Sequence, residues 1–168
     1  MKALLRRLLD ETELLSPYGP RTLSRMYKDT PYTFDAHGQR ITVTYRPADS
    51  DSGMFGGNSN WRGPTWFPIS FLLIESLYKF HAYYSDDFLV EYPTGSGRLY
   101  SIREVAEELS QRMASIWMRD RHGRRAVFGR FEKLQNDPEF RDYLWFSEYL
   151  MATPEPVWVL PIKAGPAL

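Results

Sequence analysis

The stretch Gly53-Met54-Phe55-Gly56-Gly57-Asn58-Ser59-Asn60-Trp61-Arg62-Gly63-Pro64-Thr65-Trp66 gathers the groups that a carbohydrate subsite needs. Indole faces stack on the C–H surface of a sugar ring, and Asn and Arg donors fix its hydroxyls. Glycine lets backbone approach the ring closely. The plainer account is a tight loop whose Trp residues anchor it to the core while Arg62 pairs with a carboxylate. On composition alone that packing role is the commoner one. Other reactive side chains are weaker candidates. Glu75 sits inside Ile74-Glu75-Ser76 on an apolar helix, where burial is costly unless it is paired, and Arg62 is the expected structural partner. His81 has no second His at i+4 and no Glu at ligand spacing, so it reads as a packed or surface histidine and not as a metal ligand. His37 and His122 fall in turns, and Asp49 and Asp51 are accounted for by the polarity of their loop. Glu148, taken by itself, is one carboxylate among many. Neither a metal site nor a cofactor is indicated.

These residues have to be positioned by the elements around them. Leu4, Leu5, Leu8, Leu9 and Leu15 predict a helix from Met1 to Leu15, ended by the turn formers Ser16-Pro17-Tyr18-Gly19-Pro20. Tyr32-Thr33-Phe34 and Ile41-Thr42-Val43-Thr44-Tyr45 alternate in type about Asp35-Ala36-His37-Gly38 and predict a small β-hairpin. From Pro47 to Pro68 the chain is rich in Gly, Asn, Ser and Pro, and a long segment of that kind is usually functional or disordered. Phe67 to Tyr84 predicts a helix with too many apolar positions for one narrow stripe, so it should be buried on most sides. Ser101-Ile102-Arg103-Glu104 matches a capping box that opens a helix running to about Met118. Asp137-Pro138 supplies a cap and a first-turn proline for a last helix to about Met151. The prolines of Thr153 to Pro161 then forbid a helix and spoil a central strand.

Composition sets the outer bounds. The 168 residues carry 21 basic and 21 acidic side chains and no cysteine, which excludes a disulfide scaffold and a thiolate metal site. With no large basic cluster there is no electrostatic footprint for nucleic acid or an anionic membrane. No apolar run approaches a membrane span, and the amphipathic start lacks the form of a signal peptide, which favours a reducing, cytoplasmic setting. The 15% aromatic content fits either a packed helical core or a groove that stacks flat ligands.

Gly57 to Trp66, Gly-Asn-Ser-Asn-Trp-Arg-Gly-Pro-Thr-Trp, resembles the Asn-Trp-Arg-Gly-Pro-x-Trp signature of bacterial glycoside hydrolase family 63-like proteins, related to mannosyl-oligosaccharide glucosidase and mannosylglycerate hydrolase. Leu15-Ser16-Pro17-Tyr18-Gly19, Glu91-Tyr92-Pro93-Thr94-Gly95-Ser96-Gly97, Phe131 to Pro138 and Phe146-Ser147-Glu148-Tyr149 resemble further motifs of that family in order, from about Leu8 to Leu150. The resemblance implies a mainly α fold, a fragment of an (α/α)6 barrel spanning 1–151 with the hairpin as an insertion. It implies an inverting hydrolase acting on α-linked gluco- or manno-oligosaccharides, with Glu148 as general base and Tyr18, Asn60, Trp61, Arg62 and Trp66 as substrate-binding residues. Inversion needs two carboxyl groups roughly 6.5–9.5 Å apart. The family's acid lies in an earlier Gly-Trp-Asp type motif that this chain lacks, so the chain alone should be inactive, with the upstream part of the hydrolase as a partner. The competing expectation is a noncatalytic carbohydrate-binding or structural module. Residues 152–168 depart from the family's glycine-rich continuation. Reverse-translated and read one base earlier they permit it, which implies a frameshift near Met151 and a non-native Pro-rich tail.

Overall fold

The computed structural model describes residues 1–47, 53, 61–144, 146 and 148–150. Among the described residues, four α-helices alternate with short antiparallel strand pairs, with 38% of those residues helical and 19% in strands. The architecture is mixed α/β, which corrects the expected mainly α barrel fragment. The reason lies in the connections. Strands of two or three residues form wherever a turn brings extended backbone side by side, and segments that short carry no period for a sequence to display.

The first helix, α1 (Lys2–Leu8), is shorter than its apolar spacing predicts. Asp10 stops it: its Oδ1 accepts from the Thr12 N–H at 2.8 Å and the Thr12 hydroxyl at 2.6 Å, a local turn that competes with the helix. The chain then forms β1 (Leu15–Ser16) and β2 (Gly19–Pro20), paired across Pro17-Tyr18. The predicted hairpin is present as β3 (Tyr32–Ala36) and β4 (Gln39–Val43), with Phe34 opposite Ile41. After β5 (Thr65–Trp66), α2 spans Phe67–Tyr84 as the sequence predicts, with Pro68 in its first turn where no N–H is needed. The hairpin β6 (Leu89–Glu91) and β7 (Leu99–Ser101) leads into α3 (Ile102–Ser115). Both capping-box bonds are made. The Ser101 hydroxyl accepts from the Glu104 N–H at 3.3 Å, and the Glu104 carboxylate accepts from the Ser101 N–H at 2.7 Å.

The last predicted helix does not form. A five-residue helix, α4 (Glu132–Asn136), ends where it was expected to begin. Asp137 accepts from the backbone N–H groups of Phe140 and Arg141, but the turn goes no further than Tyr143. Among the described residues, the i−4 bond of Arg141 is not followed by one from Asp142, and the Tyr143 N–H turns back to the Phe140 carbonyl at 3.0 Å, while the Arg119 and Arg125 side chains both donate to the Arg141 carbonyl at 3.4 Å. The chain continues to β8 (Tyr149–Leu150), which pairs with β5.

Helix α3 is central to the main core. Ile102, Val105, Ala106, Leu109 and Met113 pack with Leu5, Leu9 and Leu15 from the N-terminal segment, Ile74 and Leu77 from α2, Val90 from β6 and Tyr92 just after it. A smaller cluster joins Ile116, Val127 and Phe128 to Tyr18, Trp117 and Leu134. The expectation that α2 is buried on most sides does not hold: Ile69, Phe71, Leu72, Phe80 and Tyr83 are exposed. No helix among the described residues is long and apolar enough to cross a membrane.

Candidate functional site

The end of the Trp-rich loop is held by the Ser-Pro-Tyr-Gly turn, although the two are far apart in sequence. Ser16 Oγ donates to the Gly19 carbonyl at 2.6 Å and lies 3.3 Å from Thr65 Oγ1. Thr22 grips the loop from both sides: its hydroxyl accepts from the Gly63 N–H at 3.1 Å, and its N–H donates to the Pro64 carbonyl at 3.0 Å. The Arg62 carbonyl accepts from the Arg46 N–H at 2.6 Å. Two glycines permit this approach. Gly19 has φ 122, and a Cβ there would stand 3.0 Å from Met113 Cγ. Gly63 has φ 126, and a Cβ would stand 2.2 Å from the Tyr45 ring. Both need a residue without a side chain. Beneath the loop, Arg21 is 5% exposed and donates to the Leu15 carbonyl and to the Glu11 and Glu13 carbonyls. Burial pushes the Arg21 guanidinium down and the Tyr45 phenol up, and the attraction between the two groups opposes both shifts.

Pairing of β5 with β8 brings Trp66 opposite Tyr149 and places Glu148 beside the loop. The Phe67 N–H donates to the Glu148 carbonyl at 2.9 Å, and the Trp66 indole N–H donates to Glu148 Oε1 at 3.1 Å. The Glu148 side chain is half-buried. Trp66 lies between two rings: Tyr149, tilted 31° with centroids 5.2 Å apart, and Trp61, edge to face at 86° and 4.5 Å. Trp61 is 46% exposed, so its indole is the part of the cluster open to a ligand. An exposed aromatic surface next to a hydrogen-bonded carboxylate can stack a sugar ring and accept hydrogen bonds from its hydroxyls.

Of the expected site residues, the fold brings Trp61, Trp66 and Glu148 together. Arg62 is 1% exposed and faces the interior, and Asn60, Asp49 and Asp51 lie outside the described residues. Tyr18 belongs to a different concavity, of about 390 Å³, with Asp120, Arg124 and Gln135; burial and then the Asp120 charge raise its phenol above the ordinary value. Glu75 is exposed, so the expected buried pair with Arg62 is not formed. It lies on the rim of an apolar cavity of about 840 Å³ that runs between α2 and α3, lined by Phe67, Phe71, Tyr78, Met113, Trp117 and Phe146. That cavity does not include Glu148 or Trp61. His81 is held 3.7 Å from the Asp86 carboxylate. Tyr149, Thr22 and Tyr45 are the contributors that residue types alone did not reveal. Their parts depend on strand pairing and loop packing across long separations, and only the Glu148-Tyr149 adjacency could have pointed to one of them.

With this geometry in view, the chain is similar to a section of a much longer polypeptide of budding yeast. That relative, the uncharacterized protein YMR196W of Saccharomyces cerevisiae, is 53% identical over 151 residues, covering 89% of this chain and 14% of its own length. No protein-family profile matches the chain, and no solved structure matches it.

Proposed function

We propose that the chain carries a sugar-binding, carboxylate-bearing part of a glycoside hydrolase of the family 63-like type, acting on α-linked gluco- or manno-oligosaccharides. The observation that supports this most is the hydrogen bond from the Trp66 indole to Glu148 across 82 positions of sequence, within a cluster that also presents Trp61 to solvent. In this reading Trp61 stacks a sugar ring, and Trp66 fixes the orientation of Glu148 through Oε1. The other carboxylate oxygen receives a proton from the attacking water. Protonation of the departing glycosidic oxygen requires a second carboxyl group roughly 6.5–9.5 Å away, which the wider hydrolase supplies. Arg62 serves by holding the loop from within. The setting is cytoplasmic, as the cysteine-free sequence suggests.

Hydrolysis of α-linked gluco- and manno-oligosaccharides by the full-length yeast relative tests the reading, with Gln placed at the position that aligns with Glu148. The expected result is turnover in the parent and a rate about 10² to 10⁴ lower in the variant. Binding of the same sugars without turnover in the parent would favour the noncatalytic alternative. Failure to bind or to turn over any of them would overturn both.

A further inference from the structure

Helix α2 has two apolar stripes, and the described residues use one. Ser70, Ile74 and Leu77 are buried, and Ile74 and Leu77 belong to the main core with α3. At 3.6 residues per turn, Ile69, Leu72, Ser76, Phe80 and Tyr83 fall in a second arc about 80° wide, about 125° round the helix from the first. Ile69 is 43% exposed, Leu72 58%, Phe80 40% and Tyr83 82%. Half-buried Leu73 joins the two stripes, and 69, 73, 76, 80 and 83 follow the alternating spacing of four and three by which one helix seats another. The polar member of the stripe is already satisfied, since the Ser76 hydroxyl donates to the Leu72 carbonyl at 2.7 Å, and covering it leaves no orphaned donor. Exposed Glu75 and Lys79 form a polar rim along one side.

We propose that this second stripe seats an amphipathic helix contributed by the remainder of a longer polypeptide of the yeast relative's kind. Two observations select that occupant. The stripe is about 21 Å long and one helix wide, on the order of 200 Å², against about 800 Å² per partner in a stable complex of separate chains. A segment of the same polypeptide avoids the entropy of association and needs no such area. In the yeast relative the matched region is 14% of the chain, so most of that polypeptide lies outside it and can supply the helix.

The test makes the pair Leu72→Lys and Phe80→Lys in this chain and at the aligned positions of the full-length yeast relative, with Leu72→Ala and Phe80→Ala as a milder pair. In this chain Leu72 is 58% exposed, and Phe80 is 40% exposed with its ring 6.4 Å from that of Tyr84, so either pair shifts the melting temperature by less than about 4 °C. In the full-length relative the lysine pair lowers it by more than about 5 °C, and the alanine pair lowers it by less than the lysine pair but measurably. Small, equal shifts in both proteins would overturn the proposal. So would sedimentation of this chain as a dimer that the lysine pair converts to monomer, because that outcome gives the stripe to a second copy.

Discussion

Replacing Gly63 with Ala strikes the point where the loop crosses the protein beneath it. The residue has φ 126, and an added Cβ would lie 2.2 Å from Tyr45 Cε2 and 2.5 Å from Cδ2. The backbone conformation costs an L-residue about 1–3 kcal/mol, and forcing a methyl against a ring that is itself 7% exposed costs about as much again. The expected loss is therefore about 2–6 kcal/mol, read as a drop of about 1–3 M in the urea midpoint at a slope of about 2 kcal/mol/M. Gly38→Ala is the control. Gly38 has φ 74 with nothing within 4 Å, so only the conformational cost remains, about 1–2 kcal/mol. Combining Gly63→Ala with Tyr45→Ala should cost less than the two changes do separately, because the second removes the obstacle to the first. A Gly63→Ala protein no less stable than Gly38→Ala would refute the reasoning.

Three further outcomes follow from the same geometry. Ser101→Ala removes a capping-box acceptor and should cost about 1 kcal/mol in chemical denaturation; an unchanged midpoint would contradict the cap's role. Leu109→Ala empties a fully buried position at the centre of α3 and should cost about 2–5 kcal/mol by the same assay, with a loss below 1 kcal/mol arguing against a packed core there. Burial raises the phenols of Tyr18, Tyr45 and Tyr92. The fold thus favours their neutral form, and this contribution is fully present below the ordinary phenol value of about 10 and lost as pH rises through the raised values. An ultraviolet titration of the folded protein should show a late-ionising phase that Tyr18→Phe, Tyr45→Phe and Tyr92→Phe each diminish, and a late phase that these substitutions leave unchanged would count against it.

Elements that repeat a period over many residues were legible in the sequence: α2, the capped α3, and the β3–β4 hairpin. What the sequence hid was decided by competition. Asp10 and Thr12 close a local turn and shorten α1, and the last predicted helix gives way to a tighter i−3 turn from Tyr143 to the Phe140 carbonyl. The apolar count of α2 was right in composition and misleading about burial, since only one of its two stripes is covered by the described residues. At the site, residue types identified Trp61, Trp66 and, through a resemblance, Glu148. The contact between Trp66 and Glu148 depends on β5 pairing with β8, two strands of two residues each that no local pattern announces. Arg62 illustrates the reverse: its type suited a sugar, and packing put it inside.

Sugar binding at the cluster of Trp61, Trp66 and Glu148, as proposed, is read directly in the tryptophan fluorescence of this chain. Titration with α-linked gluco- and manno-oligosaccharides should give a saturable change, weakened about 3- to 10-fold by Trp61→Ala, which removes one stacking surface. A flat response across the whole panel, or a response that Trp61→Ala leaves intact, would contradict the account.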